Sequence, residues 1–171
     1  MRNFLLTLVG VTFLMSCSGD DDGGSTTVTD PSGTYLQISY ITNPAADFNG
    51  DGTTSFNQLE EIVCFDTNQI NLLPDGAALL VIKDITFDLL TGAGTYICSD
   101  EKVLTGTYTF NNGIVDLTYT DDGQTINQQY TAAGSTIKRI IVDTPVIRTQ
   151  NDNGDFVINN NGQIEIVYRK E

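Results

Sequence analysis

The chain has 171 residues, with 22 acidic and 8 basic side chains, a formal net charge of −14 and no His or Trp. That balance excludes nucleic acid as a partner, because a phosphate backbone has to be neutralised by Lys and Arg. The lack of His removes Ser-His-Asp and Cys-His nucleophile pairs and His-based zinc sites, while 40% hydrophobic and 18% charged residues exclude a disordered polyanion.

The first element is a short basic start, Met1-Arg2-Asn3, followed by an apolar run from Phe4 to Met15. A helix of that length rises only about 18 Å, too little for a bilayer core of about 30 Å. Residues 1–16 therefore read as a signal peptide rather than a membrane span. Leu14-Met15-Ser16-Cys17 resembles the lipobox of bacterial lipoproteins. That resemblance implies cleavage before Cys17 and acylation of Cys17 with palmitate-type chains. Two or more such chains, at about 0.8 kcal/mol per buried methylene, anchor stably where one is marginal. Residues 17–32, which continue as SGDDDGGSTTVTDPS after the Cys, form a flexible acidic linker with a coil reach of roughly 20 Å. Asp20-Asp21-Asp22 resembles the acidic export signal of Bacteroidota surface lipoproteins; the alternative is a solvated tether. The expected location is the cell outer membrane, lipid-anchored through Cys17 and exposed at the cell surface.

From residue 33 onward, alternating apolar and polar residues separated by Gly, Asn and Asp turns predict antiparallel β-structure. Leu36, Ile38 and Tyr40 share one face of a first strand. Asp47-Phe48-Asn49-Gly50-Asp51-Gly52-Thr53 then matches the start of a calcium loop, with oxygen ligands at positions 1, 3 and 5 and the turn Gly at position 6. Asp47, Asn49 and Asp51 with the Thr53 carbonyl are the candidate metal ligands, and Ca²⁺ is the one cofactor the pattern fits. The twelfth position is Gln58 instead of Glu, and Glu60 or Glu61 is the nearest substitute outside the standard geometry. The alternative is an Asp/Asn/Gly turn held by its own side chains. Ser55, with Gln58 three residues on, predicts the cap of one short helix carrying Leu59, Ile62 and Val63 and ending near Cys64.

Ile70 and Leu72 begin the next strand, and Asp75-Gly76 signals a hairpin into the central run AALLVIKD. A strand near Thr95 to Cys98 carries Tyr96. Cys64 and Cys98 are an even pair in an oxidising compartment: they either bond, for roughly 3–4 kcal/mol by chain entropy, or stay buried and free. Leu104, Tyr108 and Phe110 line a further strand, then Asn112-Gly113 turns into Val115, Leu117 and Tyr119. Asp122-Gly123 turns again into Ile126, Gln128 and Tyr130. Residues Ser135 to Val142 form another strand, Asn151 to Gly162 reads as a hairpin loop, and Ile164, Ile166 and Tyr168 share a face of the last strand. Eight or nine strands with close turns point to a small barrel or sandwich.

Gly33-Thr34-Tyr35, DFNGDGTTSFNQLEEIVCFD, the spaced Cys64 and Cys98 and the NQINLLPDG hairpin resemble the lipocalin-like domain of small Bacteroidota lipoproteins, with Tyr35 where lipocalins usually carry Trp. The resemblance spans residues 33–171. It implies an all-β fold: an eight- or nine-stranded antiparallel up-and-down lipocalin-like barrel with one short helix after the first strand. It also implies that Arg169, on the last strand, stacks over Tyr35.

Tyr40, Tyr108, Tyr119 and Tyr130 on the apolar faces are the candidate ligand-binding residues of such a barrel, which is either hollow or filled by the same side chains. No Ser nucleophile elbow, phosphate-cradling Gly loop or redox Cys-x-x-Cys is present, and the adjacent acids Glu60-Glu61 and Asp121-Asp122 diverge, so no enzyme is expected. The expected role is a monomeric, non-catalytic binding module for a small apolar ligand. The alternative is a surface interaction module that meets a protein or glycan through its loops.

Overall fold

The computed structural model describes residues 28–49, 51–87, 96–150 and 156–171, with the side chains of 147–150 and 156–160 left aside. The expected signal peptide, Cys17 and most of the expected linker lie outside the described residues. The strands are β1 (Gly33–Ala46), β2 (Ser55–Asn57), β3 (Gln69–Leu72), β4 (Ala77–Ile82), β5 (Ile85–Phe87), β6 (Tyr96–Cys98), β7 (Lys102–Asn111), β8 (Ile114–Asp121), β9 (Gln124–Ala133), β10 (Thr136–Gln150) and β11 (Phe156–Lys170).

Period-two patterning builds these strands directly. In β8, Val115, Leu117 and Tyr119 are buried while Asp116 and Thr120 face water. The outer face of β8 and β9 is a polar ladder: Thr118 Oγ1 donates to Asn127 Oδ1 at 2.8 Å and Gln129 Nε2 to Asp116 Oδ1 at 2.9 Å, each pair directly opposed in register. With one face apolar and the other wet, each strand buries one side, and the sheet curls until its first and last strands meet.

Closure comes from β1 pairing with β11, from Tyr35 opposite Lys170 to Asn43 opposite Gln163. Around the ring the order is β1, β3, β4, β7, β8, β9, β10, β11, all antiparallel: a closed eight-stranded up-and-down barrel. β2 hangs on the edge of β1, and β5 and β6 form a separate two-stranded hairpin. An even number of strands lets a meander close antiparallel, and closure leaves no open edge in the ring.

The meander defines two ends. The turns β3–β4, β7–β8 and β9–β10 lie with the start of β1 and the end of β11; the excursions β2 and β5–β6 and the turn β8–β9 lie at the other. The first end is filled by Tyr35, Ile70, Leu72, Ala78, Val115, Leu117 and Ile137. Tyr35 also donates its hydroxyl to the Pro31 carbonyl at 2.8 Å, so the segment entering β1 seals that end.

Several expectations are corrected. Leu36 and Ile38 point outward, and Tyr35 and Gln37 point inward instead. A bulge between Gln37 and Ser39 shifts the register by one residue and returns Tyr40 to the interior. The helix after β1 is one 3-10 turn, Gln58–Glu60, capped by the Asn57 side chain, while Ser55 lies in β2. Arg169 does not cover Tyr35. It is exposed opposite Leu36, because its neighbour Tyr168 takes the inward position. The loop expected from Asn151 to Gly162 is mostly strand: β11 begins at Phe156, paired with Gln150.

Gly106 shows why one residue type is required in β7. A Cβ there would stand 2.3 Å from the Thr118 carbonyl oxygen and 2.8 Å from Tyr119 Cβ on β8. Gly106→Ala should therefore cost about 1–3 kcal/mol of unfolding free energy, the range for an overpacked site. Urea denaturation checks it; an unchanged midpoint would mean that β7 and β8 do not approach as closely as described.

Candidate functional site

The half of the barrel away from the sealed end holds a cavity of about 370 Å³. Its apolar wall is made by Leu80, Ile82, Ile126, Ile141 and Ile166, and its aromatic wall by Tyr40, Phe65, Tyr119, Tyr130 and Tyr168. Three of the four predicted tyrosines, Tyr40, Tyr119 and Tyr130, thus face one space. Tyr108 does not: its hydroxyl donates to the Leu73 carbonyl at 2.9 Å, pinning the β3–β4 turn at the sealed end. The face reading was right for Tyr108, but its height along the barrel depends on β7–β4 register, which spacing within one strand does not contain.

The tyrosine hydroxyls are wired together. Gln128 Nε2 donates to the Tyr119 hydroxyl at 2.7 Å, and the Tyr130 hydroxyl donates to Gln128 Oε1 at 2.6 Å. Tyr130 and Tyr168 meet edge to face at 6.1 Å between ring centroids. Burial pushes Tyr40 up to about 12, with the Asp84 charge adding to the rise and Arg139 opposing it. Burial also raises Tyr130 and Tyr168, again against the pull of Arg139.

Arg139 and Gln37 are the residues that pattern reading missed. They lie on either side of β11, Arg139 opposite Ile166 and Gln37 opposite Tyr168, and both line the cavity. Two carboxylates, Asp84 and Asp121, line the same cavity, but among the described residues neither stands within ion-pair distance of Arg139, and Asp121 is paired with Lys102 at 2.9 Å. Gln37 Nε2 is buried without a hydrogen-bond partner. Both are donors in a mixed lining that also carries Asn68, Asp84, Asp121 and Gln128. A signal did exist: Arg139 stands in the inward alternation of β10 with Ile137 and Ile141, a charge where the pattern asks for an apolar residue. β9 and β10 pair only from Ala133–Thr136 to Thr131–Lys138, so the ladder between them stops one residue before Arg139.

A cap covers part of the cavity. Phe65 stacks on Tyr40 with centroids 4.8 Å apart and belongs to a second cluster with Ala46, Phe48, Ile62 and Cys64. Cys64 is bonded to Cys98, tying the β2–β3 connection to β6. Asn68 fastens the same region. Its Nδ2 donates to Gln37 Oε1 at 3.0 Å and to the Lys83 carbonyl at 3.2 Å, and its Oδ1 accepts from Lys83 N at 2.6 Å. These bonds hold the β1 bulge, the start of β3 and the end of β4 in one place.

The predicted cation loop lies outside the cavity, beside the cap. Asp47 accepts from the backbone N–H groups of Asp51 at 3.2 Å and Gly52 at 2.8 Å, and Asn49 Oδ1 accepts from Asp51 N at 2.9 Å. Thr53 is exposed, and its N–H donates to Asp51 Oδ1 at 2.7 Å. Gln58, the residue at the twelfth position, turns away from the loop. Its Nε2 donates to Thr42 Oγ1 at 2.8 Å and to the Ser55 carbonyl at 2.6 Å, stapling the 3-10 turn onto β1. Glu61 takes the place beside the loop instead.

Fold and site define a closed antiparallel β-barrel with an aromatic-lined internal cavity. Compared with protein-family models, with curated proteins and with solved structures, the chain gives no match in any of the three.

Two outcomes follow. A tyrosine whose folded pKa is raised stabilises the fold fully below its unfolded value of 10.0, and that contribution is lost as pH rises through about 12 for Tyr40. Stability should fall across that window, with the buried phenols ionising only as the barrel opens. Absorbance at 295 nm alongside circular dichroism checks this; all tyrosines titrating near 10 in a folded barrel would contradict the burial. The disulfide closes 34 residues, so Cys98→Ser should cost roughly 3–4 kcal/mol. Denaturant midpoints of the oxidised protein and the variant measure it.

Proposed function

We propose that this chain is a lipid-anchored, non-catalytic binding protein whose barrel takes a small ligand with an apolar body and one negatively charged end. The observation that carries the reading is Arg139, a guanidinium lining an aromatic cavity, with neither of that cavity's carboxylates, Asp84 and Asp121, within ion-pair distance of it. A charge in such surroundings is costly unless it is paired, and an anionic ligand group supplies the pair. Gln37 Nε2 offers an unused donor on the other side of β11. The Tyr and Ile walls suit an apolar body, and about 370 Å³ is at the small end of ligand cavities. The overall charge of −14 repels anions at a distance, so recognition of a negative group has to be local.

The anchored reading rests on the lipobox-like Leu14-Met15-Ser16-Cys17 and the acidic linker. It fits the polarity of the barrel. The chain enters β1 at the sealed end, so a tether there leaves the cavity half facing away from the lipid surface.

Competition against a bound fluorescent anilinonaphthalene sulfonate tests the ligand class. Octanoate should displace the dye at least about tenfold better than octanol, because a charge-assisted hydrogen bond contributes about 1.5–3 kcal/mol. Arg139→Gln should remove that preference while leaving octanol competition unchanged. Equal displacement by acid and alcohol in the unmodified protein would refute the anionic end, and no dye binding at all would refute the cavity reading and favour loop-mediated contact with a macromolecule.

A further inference from the structure

Outside the cavity, three carboxylates meet. Oxygens of Asp47, Asp51 and Glu61 lie within 4.8 Å of one another. Asp47 and Asp51 come from the loop after β1, and Glu61 from the end of the 3-10 turn. Acidic clusters on surfaces are common and need no ion. This one differs because Glu61 is only 9% exposed and its Oε2 is buried without any hydrogen-bond partner. The N–H groups of Phe48 and Asn49 face the Glu61 carboxylate and hold it toward the loop. Those N–H groups serve one side of the carboxylate only; leaving its other oxygen, Oε2, buried and unpaired beside two further carboxylates is unfavourable unless a cation occupies the space between them.

The geometry points to a divalent cation site formed by Asp47, Asp51 and Glu61, with Ca²⁺ as its ion. Every donor is an oxygen, the preference of a hard cation, and the chain has no His to attract zinc or copper. Two oxygens bound about 2.4 Å from one ion stand at most about 4.8 Å apart, so the observed separations fit a shared ion. Ca²⁺ tolerates the irregular arrangement that a loop and a 3-10 turn provide, whereas Mg²⁺ demands a near-ideal octahedron. Asp51 is exposed, which leaves coordination positions open to water. The ligand spacing explains why the twelfth residue is dispensable. Gln58 is committed to Thr42 and the Ser55 carbonyl, and one further turn of chain swings Glu61 into the role a terminal acidic ligand would play. The ion would tie the β1 end to the segment that carries Cys64 and Phe65, next to the cavity cap.

Calorimetric titration of the full mature chain with CaCl₂, after treatment with a chelator, tests the site. The expected dissociation constant is about 10⁻⁴–10⁻³ M, the range of extracellular modules, with a rise in melting temperature on adding millimolar Ca²⁺. Glu61→Gln should weaken binding at least tenfold and abolish the melting shift. Glu60→Gln, one residue away and bonded to Ser55 Oγ, should leave both unchanged. Should Glu61→Gln fail to fold, Asp51→Asn on the exposed side of the loop replaces it with the same expected loss. Absence of both heat and melting shift in the unmodified chain, equal affinity for Mg²⁺, or undiminished Ca²⁺ binding in the folded carboxylate variants would overturn the proposal. The cavity assay does not involve these residues, so the two readings fail separately.

Discussion

The pairing of β1 with β11 is the constraint on which everything else rests. Without it the sheet has two unpaired edges and the apolar faces of its strands have nothing to enclose. With it, each inward side chain faces others across a common interior. The register slip at Gln37 and Ser39 is part of that closure. It places Tyr35 and Gln37 inward below the bulge and Tyr40 inward above it, so a single strand serves both the solid core and the cavity wall. Asn68, bonded to the Gln37 side chain and to both backbone groups of Lys83, holds the bulge where it is.

The interior divides into a packed half and a hollow half, and side-chain size accounts for the difference only in part. The sealed end receives Tyr35, Leu72, Val115, Leu117 and Ile137 in close contact, with Gly106 letting β7 and β8 approach. Toward the other end, β10 parts from β9 after Lys138, and the long β10–β11 pair runs on to Gln150 and Phe156 beyond β9's reach. The strands there no longer draw the walls together, and the space is lined by Tyr rings whose hydroxyls bond one another through Gln128. In the proposed picture the negative group of a ligand pairs the Arg139 of that lining.

The excursions between β1 and β3 and between β4 and β7 are joined by the Cys64–Cys98 bond, and they set Phe65 against Tyr40. The acidic loop and Glu61 belong to the same cap. Cap, disulfide and carboxylate cluster therefore form one region at the end of the barrel opposite the sealed one. In the proposed picture this is the end that meets a ligand, and the bottom is only a support.

Much of the fold was legible from residues alone. Alternation marked β7, β8, β9 and β11, because in a half-buried strand each residue's side is decided locally. Asn112-Gly113 and Asp122-Gly123 marked their hairpins, since both first residues adopt positive φ, at 51° and 48°, followed by Gly. Even the even cysteine count foretold the bond that forms. What the sequence could not contain was anything set by partners distant along the chain. Leu36 and Ile38 fit an inward stripe as well as Tyr35 and Gln37 do, and only the β11 register and its bulge choose between them. Tyr108 and Tyr119 look alike in their strands, yet cross-strand pairing sends one to the sealed end and the other to the cavity. Likewise Glu61 joins Asp47 and Asp51 because Gln58 is stapled to Thr42 on another strand. Local chemistry determined which residues form strands and turns; closure of the sheet decided which of them meet, because register and height in a barrel are properties of strand pairs rather than of single strands.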